Sequence, residues 1–407
     1  MLSFSPDKVT PLPSKQIPDK TEVTFRPVER NEMPAIRPKL SLFRARLVEM
    51  QPDAPGRYAG SIEVGTQDAP QTISLVLEGV ASPILHVGSE TVTLKSSVPG
   101  ASSEVAEFSG SITFPVKIEN EKEVMTLSVT WFGVNHPRRA SGNAPLYYNL
   151  ETFTGGNVVL KGETYRAALF DTNYRGDFRG KVTSPVTGVL LLLDANGNGS
   201  FDIRGEAFDT GQPFNIGGTT YEISGMNAEG RHFTVKKSAK SVPEITPPPD
   251  LREGNSAPPF KATSIGGKQI SFPKDYAGKL VMLIFWASWC GDCQREVPYF
   301  TSAYAKLHSQ GLEALGISLD RPNTLADLKA YLKKSKMEWA QIYSGGFWED
   351  KTVYLYGIDW IPTFLLVDGD TGKIVASGES LSPSKMEATL RAALETKSKS
   401  PKAPSQK

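Results

Sequence analysis

Between residues 40 and 238, apolar and polar side chains alternate one for one in short runs. These are Ser61-Ile-Glu-Val, Thr72-Ile-Ser-Leu-Val-Leu, Thr91-Val-Thr-Leu, Ser111-Ile-Thr-Phe-Pro-Val, Met125-Thr-Leu-Ser-Val-Thr-Trp and Thr219-Thr-Tyr-Glu-Ile. A period of two puts every apolar side chain on one face of a pleated strand, so the runs predict half-buried β-strands. Clusters of Gly, Asn, Asp and Pro separate them at short intervals, as turns require. No stretch keeps a 3.6-residue apolar period over three turns. The pattern predicts a β-rich, sandwich-like region of one or two domains.

The texture differs on either side of this region. Residues 1–39 hold seven prolines (Pro6, Pro11, Pro13, Pro18, Pro27, Pro34 and Pro38) with little periodicity, which predicts an extended arm. Residues 239–259 are proline-rich, with Pro247-Pro248-Pro249 in their middle, and predict a semi-rigid linker. Beyond the linker, strands and helices alternate. Residues 280–286 are a continuous apolar run of the kind buried on both faces of a sheet. The pattern then predicts a helix at 290–308, a strand at 312–319, a helix at 324–334, a strand at 339–343 and a helix at 349–356. Strands at 363–367 and 373–377 and a helix at 383–394 complete it. Such alternation predicts an α/β domain over 254–395 with right-handed crossovers. Residues 396–407, with four lysines among Ser and Pro, predict a solvated tail.

At 407 residues the chain is long for one compact domain. Lys+Arg 45 against Asp+Glu 44 gives a formal charge of +1, which exerts no global pull toward nucleic acid or an anionic membrane. The longest apolar run, 280–289, is broken by Ser288 and falls well short of the ~20 residues of a spanning helix, so no membrane span is predicted. No basic segment followed by an apolar one opens the chain, so no secretory signal is legible. The cysteines change the picture more: there are two, Cys290 and Cys293. A disulfide framework is thereby excluded, and sulfur chemistry is confined to one place.

That place is the junction between the buried strand at 280–286 and the following helix. A cysteine at a helix N-terminus faces free N–H groups and the positive end of the dipole, which lowers its pKa and populates the nucleophilic thiolate. A second cysteine one turn on can close or resolve a disulfide. Half of a zinc site is the alternative. It needs two further ligands, and the only histidines, His86, His136, His232 and His308, are scattered.

The stretch Phe285-Trp286-Ala287-Ser288-Trp289-Cys290-Gly291-Asp292-Cys293-Gln294-Arg295-Glu296-Val297-Pro298 resembles the active site of thioredoxin-fold proteins, and among them the TlpA/ResA-type thiol–disulfide oxidoreductases. Ala257-Pro258-Pro259-Phe260 and Ile361-Pro362-Thr363-Phe364 carry the same resemblance, which covers about 254–395. It implies a thioredoxin fold in which Cys290 attacks, Cys293 resolves and Pro362 is a cis-proline beside the sulfur pair. It also implies that Glu296, three residues past Cys293 on the same helical face, relays a proton to or from that thiol. Complementing the helix dipole is the simpler role for Glu296. Trp289, Gly291, Asp292 and Ile361 form the surroundings of the site. Two positions depart from the family pattern. Asp292 stands where thioredoxins often have proline, and its charge opposes thiolate formation; Pro259 stands where an acidic residue is common. Thiol peroxidases of this fold place Thr or Ser three residues, and Pro seven residues, before the reactive cysteine. Here those positions are Ala287 and Leu283.

A second motif lies in the β-rich region. Asp194, Asn196, Asn198, Ser200 and Asp202, with Gly199 at the sixth position, reproduce the first part of a calcium loop, a set of oxygens around a tight turn. Position 12 is Gly205, and the acid, Glu206, comes one place late. An Asn/Gly-rich hairpin turn explains the same residues without a metal. Asp171-Thr-Asn173-Tyr-Arg175-Gly176-Asp177 is a poorer echo, with Arg175 in a ligand position.

Together these features predict a protein thiol–disulfide oxidoreductase that exchanges the Cys290–Cys293 dithiol with protein thiol or disulfide substrates; the reducing direction is what the resemblance alone implies. An upstream redox partner would recharge it. Dithiol exchange requires no cofactor, and Ca2+ in the β-rich region is the one candidate ion. The resemblance, and nothing else, implies an extracytoplasmic, periplasmic location. The alternative class is a binding or scaffold protein led by the β-rich region, with the redox domain regulating it.

Overall fold

A computed structural model of the chain describes residues 20–28, 46–96, 102–119, 121–136, 144–151, 153–179 and 188–399. The chain divides into two compact units, Met1–Ile245 and Thr246–Lys407.

The first unit is built from antiparallel strands. One of the two longest, Glu107–Ile118, buries Phe108, Ile112, Phe114, Val116 and Ile118 in the predicted alternation, and it pairs with the other, Glu121–Phe132, from Glu107↔Phe132 to Ile118↔Glu121. Arg46–Glu49, Pro145–Glu151 and Lys95–Ser96 complete that sheet. Gln51–Ala54, Arg57–Val64, Gln71–Glu78, Ile84–Val87 and Glu90–Thr93 form a second.

The third sheet runs Ala207–Asp209, Val189–Leu193, Glu163–Asp171, Phe153–Leu160 and Arg26–Pro27. It is buried on both faces. Phe153, Ala168, Phe170 and Leu192 join the apolar cluster shared with the first two sheets, whereas Val158, Leu169, Leu191 and Leu193 join another. Covering both faces is the physical reason for the unbroken apolar run at 189–193. The fourth sheet, Lys20–Thr24, His232–Lys237, Thr219–Ser224 and Phe214–Ile216, closes that other cluster. Four sheets, the third of them covered on both faces, therefore stand where a simple sandwich was expected.

Two expectations at the margins are corrected. Within the arm, residues 20–24 are a strand paired with 232–236, and Val23 and Phe25 are core residues. The remainder of the arm before residue 20 and after residue 28 lies outside the described residues. The proline-rich stretch is packed at both ends. Asn215 Nδ2 donates to the Val242 carbonyl at 2.8 Å, and Glu244 accepts the N–H groups of Gly217 (2.9 Å) and Gly218 (3.1 Å). In the second unit, Pro248 lies where any side chain on Gly357, at φ +62°, would collide with it.

The second unit contains β1 (Phe260–Thr263), β2 (Gln269–Phe272), β3 (Leu280–Trp286), β4 (Leu312–Ser318), β5 (Ala340–Tyr343), β6 (Thr363–Asp368) and β7 (Ile374–Ser377). Strands β1 and β2 form a hairpin, and the main sheet has the order β5-β4-β3-β6-β7. β3 lies at its centre, parallel to β4 and antiparallel to β6, with all seven residues buried. The helices are α1 (Gly291–Leu307), α2 (Leu325–Lys334), α3 (Lys351–Tyr356) and α4 (Met386–Lys399). α1 buries Cys293, Val297, Phe300, Ala303 and Leu307, one stripe at three- and four-residue spacing. Asp350 caps α3 by accepting the N–H groups of Thr352 and Val353, and the helix stops at Gly357.

The last helix extends into the expected tail. Lys397 pairs with Asp368 at 2.8 Å and Asp370 at 2.7 Å, so residues 396–399 are structured; residues 400–407 lie outside the described residues.

Candidate functional site

At the end of β3 the chain crosses Ala287, Ser288 and Trp289 and turns into α1. Cys290 is the N-cap, with extended dihedrals (φ −83°, ψ 113°), and its sulfur accepts the Cys293 N–H at 3.1 Å. A thiol thus fills the place where Ser, Thr, Asp or Asn usually satisfies the first free N–H groups of a helix. On the opposite side the Cys290 thiol donates to the Ile361 carbonyl oxygen at 3.6 Å, and the Ile361–Pro362 peptide is cis. Both cysteines are free thiols, 7% and 1% exposed for Cys290 and Cys293 respectively. Burial, reinforced by the hydrogen bond with Cys290, pushes the Cys293 thiol well above the ordinary thiol range.

The approach to Cys290 is held from β4. Asp320, buried at 1% exposure, accepts the Ser288 N–H at 3.1 Å, the Ser288 hydroxyl, and the Ser318 hydroxyl at 2.7 Å. The Trp289 indole N–H donates to the Leu319 carbonyl at 3.1 Å, and Gln294 Nε2 donates to the Ser288 carbonyl at 2.7 Å. The two-residue step from Ser288 to Cys290 is therefore fastened on both sides.

Residues 254–375, wholly within this unit, match the family model described as the AhpC/TSA family. Thiol-disulfide oxidoreductase ResA of Bacillus thuringiensis (strain Al Hakam) is 35% identical over 125 residues, 31% of this chain and 68% of that protein. ResA of Bacillus thuringiensis subsp. konkukian is 36% identical over 123 residues, 30% of this chain and 66% of that protein. The chain belongs to the ResA thiol-disulfide oxidoreductase family. It spans about two thirds of the length of the ResA proteins it matches. Among solved structures, the thioredoxin domain of a thiol-disulfide oxidoreductase from Bacteroides vulgatus is 28% identical, covering 35% of this chain and 99% of that one, with a TM-score of 0.32. A thiol:disulfide interchange protein from Bacteroides sp. is 27% identical over 36% of this chain and 91% of its own, with a TM-score of 0.31.

Within this ResA-type domain the residues singled out from the sequence fall as follows. Cys290, Cys293, Ile361 and Pro362 come together at one point. Trp289 flanks them and Gly291 opens α1 on its exposed side. Asp292 is exposed and ion-paired with Arg295, so the charge expected to oppose a Cys290 anion is met by a guanidinium. Glu296 is half-buried beside the stripe that holds Cys293, and it makes no hydrogen bond or ion pair among the described residues. Leu283 and Ala287, the positions where a thiol peroxidase carries Pro and a hydroxyl residue, are apolar and fully buried.

The Asp-Asn-Asn-Gly loop is elsewhere, in the first unit, and its side chains bind its own backbone. Asp194 accepts the Gly199 N–H (2.9 Å), Asn196 the Asn198 N–H (2.9 Å) and Asn198 the Ser200 N–H (2.8 Å). Glu206 is fully buried. It accepts the N–H groups of Ala195 and Asn196 through one oxygen, at 2.9 Å each, and that of Asp202 through the other at 2.8 Å. Burial raises its pKa to about 7 despite those donors. Asp171 is likewise buried and accepts the Asn173, Arg175 and Gly176 N–H groups at 2.8 Å, with a pKa raised by burial to about 6. Among the described residues, no group of three or more His, Cys, Asp or Glu side chains is placed to share a metal ion.

Sequence reading named Trp289 but missed Asp320, the part played by Ser288, and the further rings Phe347 and Trp360. Phe347 left one trace: Gly345-Gly346-Phe347-Trp348 places two bulky rings directly after a glycine pair, a break between longer elements, and Phe347–Glu349 is a single 3-10 turn.

Proposed function

We propose that the second unit exchanges its dithiol with the disulfides of substrate polypeptides, in the reducing direction and outside the cytoplasm, both the direction and the location resting on the family resemblance alone. The observation that carries this reading is the Cys290 sulfur held between the Cys293 N–H at 3.1 Å and the Ile361 carbonyl at 3.6 Å. An N–H aimed at the sulfur from a helix terminus suits a developing negative charge. The Cys290 thiolate attacks one substrate sulfur, forming a mixed disulfide and releasing the other as a thiolate that takes a proton. Cys293 then loses its proton and attacks the Cys290 sulfur, releasing the second substrate thiolate and leaving the Cys290–Cys293 disulfide. The substrate gains two electrons and two protons, and an upstream dithiol donor returns them to the protein.

One feature supports the proton-transfer assignment. Glu296 is one turn from Cys293 and free of other partners among the described residues, which suits it to take the Cys293 proton. The test is thiol trapping of the full chain across a graded redox buffer, together with insulin reduction by the dithiol form. The expected result is one two-electron transition and insulin reduction. Cys293→Ser should accumulate a mixed disulfide at Cys290. Absence of the transition overturns the proposal.

A further inference from the structure

The surface around Cys290 carries large rings that the exchange itself does not use. Trp289 is 47% exposed and Trp360 is 55% exposed, although residues of this size normally lie in the core. Each adjoins one of the two atoms that meet at the site: Trp289 precedes Cys290, and Trp360 precedes Ile361, whose carbonyl accepts from the Cys290 thiol. The Trp289 ring is fixed by its bond to the Leu319 carbonyl, and it lies 5.5 Å from the Phe347 ring.

Phe347 is held in a conformation that a bulky residue seldom adopts, φ +54°. The loop around it is closed on both sides. Ser344 Oγ donates to Asp350 Oδ2 and accepts the Gly346 N–H at 3.0 Å, and the Glu349 N–H reaches the Gly346 carbonyl at 2.8 Å. The Arg321 guanidinium lies 5.0 Å above the Phe347 ring and has no carboxylate partner among the described residues. Backbone strain maintained by this many bonds sets a partly exposed ring and an unneutralised cation beside Trp289, the residue before the nucleophile, and points to a recognition surface.

We propose that Trp289, Phe347, Trp360 and Arg321 form the subsite that selects the polypeptide whose disulfide meets Cys290. This rests on the exchange reaction above and names its substrate class. The substrate is an extended segment with an aromatic or large aliphatic side chain beside its reacting cysteine, and a carboxylate close by. The rings take the apolar side chain, and Arg321 supplies the charge complement for the carboxylate.

The test compares three disulfides with the full chain in its dithiol form: a peptide disulfide with Phe and Glu flanking the cysteine, the same peptide with Ser and Lys, and 2-hydroxyethyl disulfide. The wild-type protein is expected to favour the Phe/Glu peptide over the Ser/Lys peptide by about tenfold in kcat/KM, the scale of one well-packed aromatic contact. Phe347→Gly relieves the strained φ and so is not a folding liability; it should abolish most of that preference, with Phe347→Tyr restoring it. Arg321→Gln should halve the preference or more, with the effect shrinking at high salt. Equal rates on the two peptides, or Phe347→Gly and Phe347→Tyr behaving alike, overturn the subsite. A dithiol form that reduces none of the three, 2-hydroxyethyl disulfide included, overturns the exchange reaction itself and the subsite with it.

Discussion

Asp320 offers the sharpest test of how the cysteine loop is held. Its buried carboxylate receives three donors, the Ser288 N–H, the Ser288 hydroxyl and the Ser318 hydroxyl. Asp320→Ala leaves all three without an acceptor. Ser318 is buried, so its hydroxyl proton is left without an acceptor although its oxygen keeps the residue-320 N–H, whereas half-buried Ser288 recovers part of its loss from water. With about 1–3 kcal/mol for each buried donor left unsatisfied, and relief from the buried charge set against it, the net loss is about 3 kcal/mol. Asp320→Asn keeps an oxygen for the Ser288 N–H and turns its amide toward a hydroxyl that can rotate to accept, so it loses about 1 kcal/mol.

Five of the six tryptophans (Trp286, Trp289, Trp339, Trp348 and Trp360) lie in the second unit, so tryptophan fluorescence follows that unit during urea unfolding. At an m-value of about 2 kcal/mol/M, the midpoint should fall by about 1.5 M for Asp320→Ala and about 0.5 M for Asp320→Asn. Exchange should also slow in Asp320→Ala, since Ser288 is two residues from Cys290. Equal shifts for the two variants, or no shift for Asp320→Ala, would refute the claim that hydrogen bonding to this carboxylate holds the loop.

Other consequences are open to direct measurement. Asp171 and Glu206 have folded-state pKa values raised from 3.8 to about 6 and from 4.5 to about 7, so the folded protein keeps protons that the unfolded chain has lost. Their stabilising contribution is complete below about pH 4 and is lost as pH rises to about 7. The melting temperature of the first unit should fall over that window, and Glu206→Gln should flatten its upper part; an unchanged profile in the variant would exclude Glu206 as the source. Asp194 Oδ2, Asn196, Asn198 and Glu206 already accept N–H groups of the 194–206 loop, and Asp194 Oδ1 is buried without a partner among the described residues; melts in calcium and in chelator should coincide, and a rise with calcium would show the loop opening to take the ion. In β4, a Cβ on Gly316 would run into the Gln341 side chain, whose Oε1 accepts the buried Trp286 indole N–H at 3.1 Å. Gly316→Ala should destabilise the second unit by about 2–3 kcal/mol, read by the same urea assay; a midpoint close to wild type would mean that Gln341 moves aside at little cost.

Sequence reading recovered the five strands of the second unit's main sheet because its elements differ in apolar period, but not the β1–β2 hairpin before them. β3 reads as a continuous run because neighbours cover both faces, and α1 as a stripe because one face alone is buried. In the first unit the alternating strands at 107–118 and 121–132 were legible, but 145–151, 153–160 and 163–171 were not. Those last two belong to the sheet covered on both faces, where the pressure for alternation disappears. The strand at 20–24 was hidden by the prolines around it, and its partner lies some 210 residues away in the chain.

The sequence by itself determined where sulfur chemistry occurs. Two cysteines, three apart, at the end of a buried run are a local pattern, and local patterns need no folding to be read. Only the tertiary structure decided what surrounds them. Pro362 and Ile361 reach Cys290 because β6 pairs with β3; Asp320 reaches Ser288 because β4 does; and the Phe347 loop reaches Trp289 because β5 lies beside β4. Each of those contacts joins residues 30 or more positions apart, where pairing across a sheet, and not spacing along the chain, sets the distance.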